Sequence, residues 1–313
     1  MSAPAADALE ARLRRVLAER YHDRHPFNLR MHEGTLTPAE LRTWVRNRYY
    51  YQTRIPIKDG IILAKAESPA FRREWVRRIH DHDGERAGEG GLEQWLALAE
   101  AVGLERDDVE SLRLVLPGVR AACDDYVRFV ESNDLLASVA ASLTEMSAGP
   151  IMAERLAAFE KHYAWVSESG LRYFRSRTTL APRDAEAGLR FVLEHAVSAE
   201  DQARCVAALE RKCEILWRLL DAIDAAHSRP RLAPSASLRF DAAEGRDLVV
   251  LPERAVKLNE SGREILELCD GLRSCEEIAA VLRARHPEVE ELESDVHEFV
   301  GHMRRLGVLE TAP

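Results

Sequence analysis

Apolar residues recur with the spacing of an amphipathic helix along nearly all of residues 6–226. In the first such stretch, Leu9, Leu13 and Leu17 lie four positions apart, so a helix would place them on one face. Alternating segments rich in Val, Ile and Thr, which are typical of strands, do not occur in this part of the sequence. Because each amphipathic helix must bury its apolar face against others, we predict an all-α bundle of roughly seven or eight helices.

Capping residues predict where some of these helices begin. Thr37 is followed by a proline and, three positions on, by Glu40, which is the pattern of an N-cap with a capping box. The helix that starts there is expected to kink at Pro56. Ser68 precedes a second proline and predicts the next start. Further helices are predicted over 92–102, 106–112, 119–130, 135–145, 151–159, 165–177, 183–196 and 199–226.

The pattern changes after a stretch rich in proline and serine. Residues 229–236 are predicted to be a linker between a first domain at 1–228 and a second at 237–313. In the second domain, 237–240 and 248–251 flank a turn and predict a hairpin. A third strand at 256–258 and three short helices, which begin near 259, 274 and 292, complete a small winged-helix-like α+β domain.

The distribution of charge bears on the partners of this second domain. The chain carries 44 Lys and Arg against 53 Asp and Glu, a net charge of −9, and residues 231–313 hold 11 of the former and 17 of the latter. A winged helix raises the hypothesis of a ligand-sensing transcriptional regulator, but a DNA-reading helix should be basic. The third helical region, 288–295, is strongly acidic. We therefore expect no nucleic-acid partner.

The sequence also predicts the cellular setting. We find no signal peptide and no window apolar enough to span a membrane, and we expect a cytoplasmic protein without a membrane partner. The five cysteines are scattered and form no Cys-x-x-Cys pair, which is typical of reduced thiols rather than a disulfide framework or a zinc site.

Arginines stand beside the apolar stripes of the first domain. Arg48 and Gln52 are four residues apart, as are Tyr173 and Arg177, so each pair shares a helix face. Guanidinium groups that face a cavity would suit a ligand with several carboxylates. The pattern alone favours the alternative, a solvated basic surface, because exposed charges are the norm.

Histidines supply the candidates for proton transfer. His82 lies in a His-Asp-His-Asp run before a glycine-rich loop, and its side chain could be a general base, or it could interact with the end of a helix dipole. The run lacks the geometry of a metal site: it fails as an EF-hand, and no Glu-x-x-His partner accompanies it. We therefore predict no metal site.

Four segments together identify a resemblance. Residues 44–59, 78–84, 116–120 and 173–177 closely resemble pyrroloquinoline-quinone synthases, the PqqC family, and the likeness extends over about 10–228. It implies a haem-oxygenase-like helical bundle that forms a homodimer. It also implies ring closure and oxidation of an anionic bicyclic precursor to the tricyclic quinone. O2 would be the co-substrate and H2O2 a product, and no metal or redox cofactor would be required.

The resemblance also implies roles for individual residues. His82 would be the proton-transfer base, and Tyr173 and Arg177, with Tyr126 nearby, would form the oxygen site. Met152 departs from the pattern, because the family has a histidine in this region, and a thioether does not transfer protons. The residues implied to hold the substrate are Tyr21, His22, Arg48, Gln52, Lys58, Arg78, Arg155 and Lys212.

The second domain resembles PqqD, the small peptide-binding protein of the same pathway. This implies that it binds the precursor peptide and presents it to a radical SAM enzyme, and an added strand on its sheet is the natural way to do so. A thiaminase-like hydrolase on the same bundle fold is a further alternative. That enzyme would need a nucleophilic cysteine, and no cysteine here has a convincing setting.

Overall fold

A computed structural model describes residues 3–242, 245–289 and 292–311. The chain separates into two compact units. The first comprises the residues up to 115 together with 119–220, and the second comprises 116–118 and the residues from 221 onward.

The first unit is built from α-helices, as the periodicity predicts. The helices that supply it are α1 (Ala3–Arg20), α2 (Pro26–Glu33), α3 (Pro38–Lys65), α4 (Pro69–Asp83), α5 (Gly90–Ala101), α6 (Arg106–Glu110), α7 (Pro117–Ser132), α8 (Leu135–Ala141), α9 (Ala148–His162), α10 (Arg172–His195) and α11 (Ala199–His227). Short 3-10 turns lie at His22–Arg24, Ser142–Ser147 and Glu168–Leu171.

The predicted start of α3 is confirmed in detail. The Thr37 hydroxyl accepts from the Glu40 amide at 3.2 Å, while the Glu40 carboxylate accepts from the Thr37 amide at 2.7 Å. Two amides that the helix leaves without partners are thereby satisfied. The helix then runs through Pro56 to Lys65 without ending.

Three local predictions were wrong. Helix α2 had not been predicted; His25 caps it, and Gly34, with a φ of 77°, ends it. The region predicted as one helix over 135–145 is α8 followed by the 3-10 turn. The two helices predicted at 165–177 and 183–196 are instead a single α10, which continues through Pro182 because packing outweighs the bond lost at one proline.

Aromatic side chains form the part of the core that supports the site. Trp44 of α3 lies 5.3 Å from Trp95 of α5, and Phe174 of α10 lies 5.2 Å from Phe159 of α9, measured between ring centroids. These rings lie at 0–1% exposure. They fix α3, α5, α9 and α10 against one another, and these helices carry much of the site described below.

One helical stretch meets the length and hydropathy of a membrane span, contrary to our expectation. It runs from Leu135 to His162, with a mean hydropathy of 1.2, and 67% of its apolar window is buried inside the protein. It consists of α8, the 3-10 turn and α9. Such burial is typical of a core helix.

From residue 230 onward, the described residues of the second unit form two small sheets and three helices. The three-stranded antiparallel sheet has the order β2 (Ser237–Asp241), β3 (Arg246–Leu251) and β4 (Arg254–Lys257), with Val249 opposite both Leu238 and Val256. Helices α12 (Glu260–Leu268), α13 (Cys275–Arg285) and α14 (Leu292–Arg305) follow. Val249, Ile278, Val296 and Val300 are buried at the centre of their core. The predicted strands, helices and capping box at Ser274 are confirmed.

The segment predicted as a linker, 229–236, is ordered. It contains β1 (Pro230–Leu232), which pairs antiparallel with β5 (Leu309–Thr311). Proline is tolerated here because it is the first residue of a short strand. Composition alone could not reveal this, since the partner strand is almost eighty residues away along the chain. The second unit therefore begins before the predicted boundary of 237.

Candidate active site

A small cavity of about 30 Å³ lies inside the first unit. Residues of α3, α4, α9, α10 and α11 and of the 142–147 turn surround it. Its walls are polar and aromatic on most sides. They are formed by Tyr21, Arg48, Tyr51, Gln52, Ile55, His82, Thr144, Glu145, Ala148, Met152, Tyr173, Arg177 and Leu216.

Every residue predicted for the site is buried. Half of them line the cavity directly, namely Tyr21, Arg48, Gln52, His82, Tyr173 and Arg177. The other half are His22, Lys58, Arg78, Tyr126, Arg155 and Lys212, which lie at 1–4% exposure. The alternative of a solvated basic surface is therefore wrong for these cations. It does hold for Arg72, Arg73 and Arg77, which are exposed on α4.

Three of the buried cations are neutralised by carboxylates. The Arg177 guanidinium lies 2.7 Å from the Glu145 carboxylate, and Arg78 lies 3.5 Å from the same group. Lys58 Nζ lies 2.7 Å from Asp59, which is itself fully buried. Burial opposes the charge on Glu145, but Arg177 and Arg78 outweigh it and hold its pKa at about 2.

Three other buried cations have no such partner. Among the described residues, no ion pair joins Arg48, Arg155 or Lys212 to a carboxylate. Burial, and then the neighbouring charge of Arg48, lowers the pKa of Arg155 to about 10 and that of Lys212 well below its ordinary value. Burying cations in this way is unfavourable unless an anion joins them. Arg48 lines the cavity, and Arg155 and Lys212 lie behind its wall, so this side of the site is suited to a ligand with carboxylates.

Neutral groups hold these three cations. Lys212 Nζ donates to the Tyr51 hydroxyl at 2.9 Å, and Arg155 donates to Asn28 Oδ1 at 3.1 Å. The Arg48 guanidinium stacks over the Tyr51 ring at 3.9 Å from its centroid, and Nη1 of Arg48 has no hydrogen-bond partner among the described residues. The unpaired donor is available to a ligand.

His82, at the end of α4, has the properties of a base. Its Nδ1 lies 3.0 Å from the carbonyl oxygen of Arg78, and because a carbonyl only accepts, Nδ1 donates. Burial, and then the charge of Arg177, lowers its pKa to about 4, so the ring is neutral near pH 7. Nε2 is left with a free lone pair. A protonated histidine that interacts with the helix dipole, the alternative left open by the sequence, does not fit this environment.

Tyrosine hydroxyls complete the polar lining. The Tyr173 hydroxyl donates to Gln52 Oε1 at 2.9 Å, and its ring meets Trp95 edge-on. The Tyr126 hydroxyl lies 3.3 Å from Ser142 Oγ, to which Lys58 also donates. Tyr126 thus stands behind the cavity wall rather than on it.

Several residues of the site were not found from the sequence. Asn28 lies on the unpredicted helix α2, and Asp59, Glu145 and Asp184 balance the buried arginines. Tyr51 supports two cations. For Tyr51 a signal was present, because it stands one helical turn, three positions, after the predicted residue Arg48.

Met152 lies where the departure from the family pattern was noted. It lines the cavity at 6% exposure, and its sulfur lies 3.8 Å from Arg155 Nη1. A thioether accepts only weakly, so it does not neutralise that cation.

The described residues hold no group of three or more His, Cys, Asp or Glu side chains arranged for a metal ion. All five cysteines are free and buried. Burial raises the pKa of Cys123 to about 12, and the same cause raises the pKa of Cys205 and Cys213 to about 12, so none of these thiols is an activated nucleophile. The thiaminase-like alternative therefore lacks the group it requires.

Fold and site together define an all-helical enzyme domain with a buried, cation-rich cavity, followed by a small α+β domain. The chain belongs to the TENA/THI-4/PQQC family, whose pattern matches residues 10–222. Residues 247–309 match the family described as coenzyme PQQ synthesis protein D (PqqD). The resemblances seen in the sequence are therefore confirmed.

Curated relatives agree with both matches. A pyrroloquinoline-quinone synthase from Gluconobacter oxydans (strain 621H) is 48% identical over 230 residues, which cover 74% of this chain and 96% of that protein. A bifunctional coenzyme PQQ synthesis protein C/D from Methylorubrum extorquens is 35% identical over 354 aligned positions, which cover 97% of this chain and 95% of the relative.

Solved structures confirm the bundle fold. A TenA homolog from Pseudomonas syringae pv. tomato superposes with a TM-score of 0.58 at 15% identity, over 70% of this chain and 91% of that one. A domain with a heme oxygenase-like fold from Shewanella denitrificans superposes with a TM-score of 0.54 at 17% identity, over 69% of this chain and 89% of that one. At such identities the likeness concerns the fold alone.

Proposed function

We propose that the first unit is a pyrroloquinoline-quinone synthase, which closes the last ring of an anionic bicyclic precursor and oxidises it to the quinone. The observation that carries this proposal is the set of buried cations Arg48, Arg155 and Lys212, which no described carboxylate neutralises. A substrate with several carboxylates supplies the missing negative charge. Paired guanidinium donors match the two oxygens of each carboxylate.

His82 is the base of this reaction. Nε2 of its neutral ring accepts a proton from the substrate, while the bond from Nδ1 to the Arg78 carbonyl fixes the ring. Each pair of electrons and protons that leaves the substrate reduces one O2 to H2O2. The proposal includes no metal or redox cofactor, with O2 as the co-substrate.

Arg177 and Tyr173 form the oxygen side of the cavity. Arg177 is at 4% exposure, where a fixed cation stabilises reduced oxygen species strongly because water is largely excluded. The Glu145 carboxylate at 2.7 Å holds the guanidinium in place and offsets part of its charge. Tyr126 supports this region from behind, through Ser142.

The remaining site residues bind the substrate. Tyr21, His22, Gln52 and Arg155 supply donors or acceptors around the uncompensated end, and Lys58 and Arg78 border the carboxylate-balanced end. We also propose that the enzyme is a cytoplasmic homodimer. Analytical ultracentrifugation tests the oligomeric state: a monomer at micromolar concentration would contradict that part.

One experiment tests the synthase proposal. The purified chain is mixed with the bicyclic precursor, with and without O2, while the quinone absorbance and the peroxide are followed. We expect the quinone to appear, with peroxide, only in air. No spectral change in air would refute the proposal, whereas a change of equal size without O2 would refute O2 as the acceptor.

The second unit binds the precursor peptide and presents it to the radical SAM enzyme of the pathway. In the described part of its sheet, β2 and β4 each pair only with β3, so both have an open edge to which an extended peptide can add. Hydrogen exchange of the full chain tests this: the peptide should slow exchange in 237–241 or 254–257. Unchanged exchange in both strands under saturating peptide would contradict strand addition.

The transcriptional regulator has less support. The unit matches the PqqD family, and the first turn of α14 carries Glu293 and Asp295 where a DNA-reading helix would be basic.

A further inference from the structure

Tyr51 touches two of the three uncompensated cations, although it was not among the predicted site residues. The centroid of its ring lies 3.9 Å from the Arg48 guanidinium carbon and 4.4 Å from Lys212 Nζ. Its hydroxyl accepts from Lys212 Nζ at 2.9 Å. On the other side, Lys212 Nζ lies 3.5 Å from the centroid of the Tyr126 ring. Lys212 is therefore enclosed by two tyrosine rings, one of which also carries Arg48.

We propose that Tyr51 is a positioning residue of the synthase site, which holds Arg48 and Lys212 in place for the carboxylates of the substrate without cancelling their charge. The inference rests on the proposed function. Tyr51 lines the cavity beside Arg48, Lys212 lies behind the cavity wall, and the proposed role of Tyr51 is exerted through these two cations.

An aromatic ring suits this role better than a carboxylate would. Asp59 and Glu145, at the other end of the cavity, fix Lys58 and Arg177 but also neutralise them. A tyrosine ring attracts a cation through its negative face and carries no net charge. Burial raises the pKa of Tyr51 well above its ordinary value, so the phenol stays protonated and neutral. These side chains are thus ordered before the ligand arrives, and no described carboxylate cancels their charge.

Preordering of this kind saves entropy on binding. Lys and Arg side chains lose much rotamer freedom when a ligand fixes them. That loss weakens binding unless the folded protein already holds the side chains in place. Lys212 and Arg48 lie on different helices, α11 and α3, and Tyr51 bridges them. Removal of Tyr51 should therefore weaken binding more than it slows chemistry.

Two substitutions distinguish the contribution of the Tyr51 hydroxyl to binding from that of its ring. Tyr51→Phe removes the hydrogen bond to Lys212 and keeps both ring contacts, so we expect pyrroloquinoline quinone to bind about 2- to 12-fold more weakly, the usual range for one hydrogen bond. Tyr51→Leu also removes the ring contacts, and we expect a loss of about 10-fold or more. The measurement is isothermal titration calorimetry of the full chain with pyrroloquinoline quinone, the product, as the probe.

The neighbouring Tyr50 provides a matched control. It lies on the same helix at 5% exposure, its hydroxyl donates to Asp124 at 2.7 Å, and Arg54 and Arg120 stack on its ring, but it is not part of the cavity wall. Tyr50→Phe and Tyr50→Leu thus disturb similar contacts outside the site. Both should bind the quinone as the wild type does.

Steady-state kinetics with the bicyclic precursor add a readout that a merely structural role would not move. We expect the Tyr51 variants to raise KM with kcat within about 3-fold of wild type, because an interaction equally strong in ground and transition states affects KM alone. A graded affinity, with wild type tightest and Tyr51→Leu weakest, supports the proposal. Two results overturn it: both Tyr51 variants bind within 2-fold of wild type, or the Tyr50 variants lose as much affinity. If the wild type itself does not bind the quinone, the proposed function fails, and the positioning role fails with it.

Discussion

His82→Asn tests the assignment of the base most directly. The asparagine amide can still donate to the Arg78 carbonyl, as Nδ1 does at 3.0 Å, but it has no lone pair that takes a proton near neutral pH. Loss of a positioned base costs about 10²- to 10⁴-fold in rate, which corresponds to about 3–5 kcal/mol in the activation barrier. The substrate should bind within about 3-fold of wild type, because the cations that hold it are unchanged.

The pH dependence of wild type sharpens the same test. Because burial and Arg177 lower the pKa of His82 to about 4, its ring stays neutral, and able to accept a proton, down to nearly that pH. An ordinary histidine would become protonated below about 6.5. The pH dependence of kcat/KM reports the pKa values of groups in the free enzyme. We therefore expect it to show no inflection near pH 6.5 that depends on His82.

The assay is the rate of O2 consumption, together with quinone absorbance, between pH 5 and 8. His80→Asn is the matched control, since His80 belongs to the same run of histidines but is exposed. Wild-type turnover by His82→Asn would refute the role of the base. An inflection near pH 6.5 that is present in wild type and His80→Asn but absent from His82→Asn would instead refute the lowered pKa, because it would show that His82 is protonated at its ordinary pKa.

Three further substitutions test the site and the fold. Glu145→Gln should lower the free energy of unfolding at pH 7 by about 3 kcal/mol, because the folded-state pKa of about 2 lies below the ordinary 4.5. That contribution is present above pH 4.5 and is lost as the pH falls towards 2, so denaturant titrations should show the two proteins converging; an equal gap at all pH values would contradict the linkage. Met152→His should leave O2-dependent turnover intact or improve it, because a histidine can transfer protons and the thioether cannot. A steep loss of oxygen consumption would contradict our placement of Met152 on the cavity wall. Thr37→Ala should destabilise the chain by about 0.5–2 kcal/mol in thermal unfolding, because it removes the N-cap of α3, and Thr37→Ser should retain most of the stability.

The chain's periodicity and caps determined which class of fold it adopts. Leu9, Leu13 and Leu17 are buried on one face of α1, and the caps at Thr37 and Ser274 begin helices, because these signals act within a few residues of each other. Helix α2 and strand β1 were not foreseen. The strand depends on a partner, β5, that is distant in the sequence, and no local pattern encodes such pairing.

The residue types of the site were also visible in the sequence, but their electrostatic roles were not. Nothing in the spacing of the cations distinguishes Arg177 and Lys58, which meet buried carboxylates, from Arg48 and Lys212, which meet the ring of Tyr51. That difference arises only when helices far apart in the chain come within a few ångströms, because charge compensation depends on distance and burial rather than on order along the chain. The sequence thus determined a helical bundle with many arginines and lysines, and the tertiary structure decided which of them are buried and which of those meet a carboxylate.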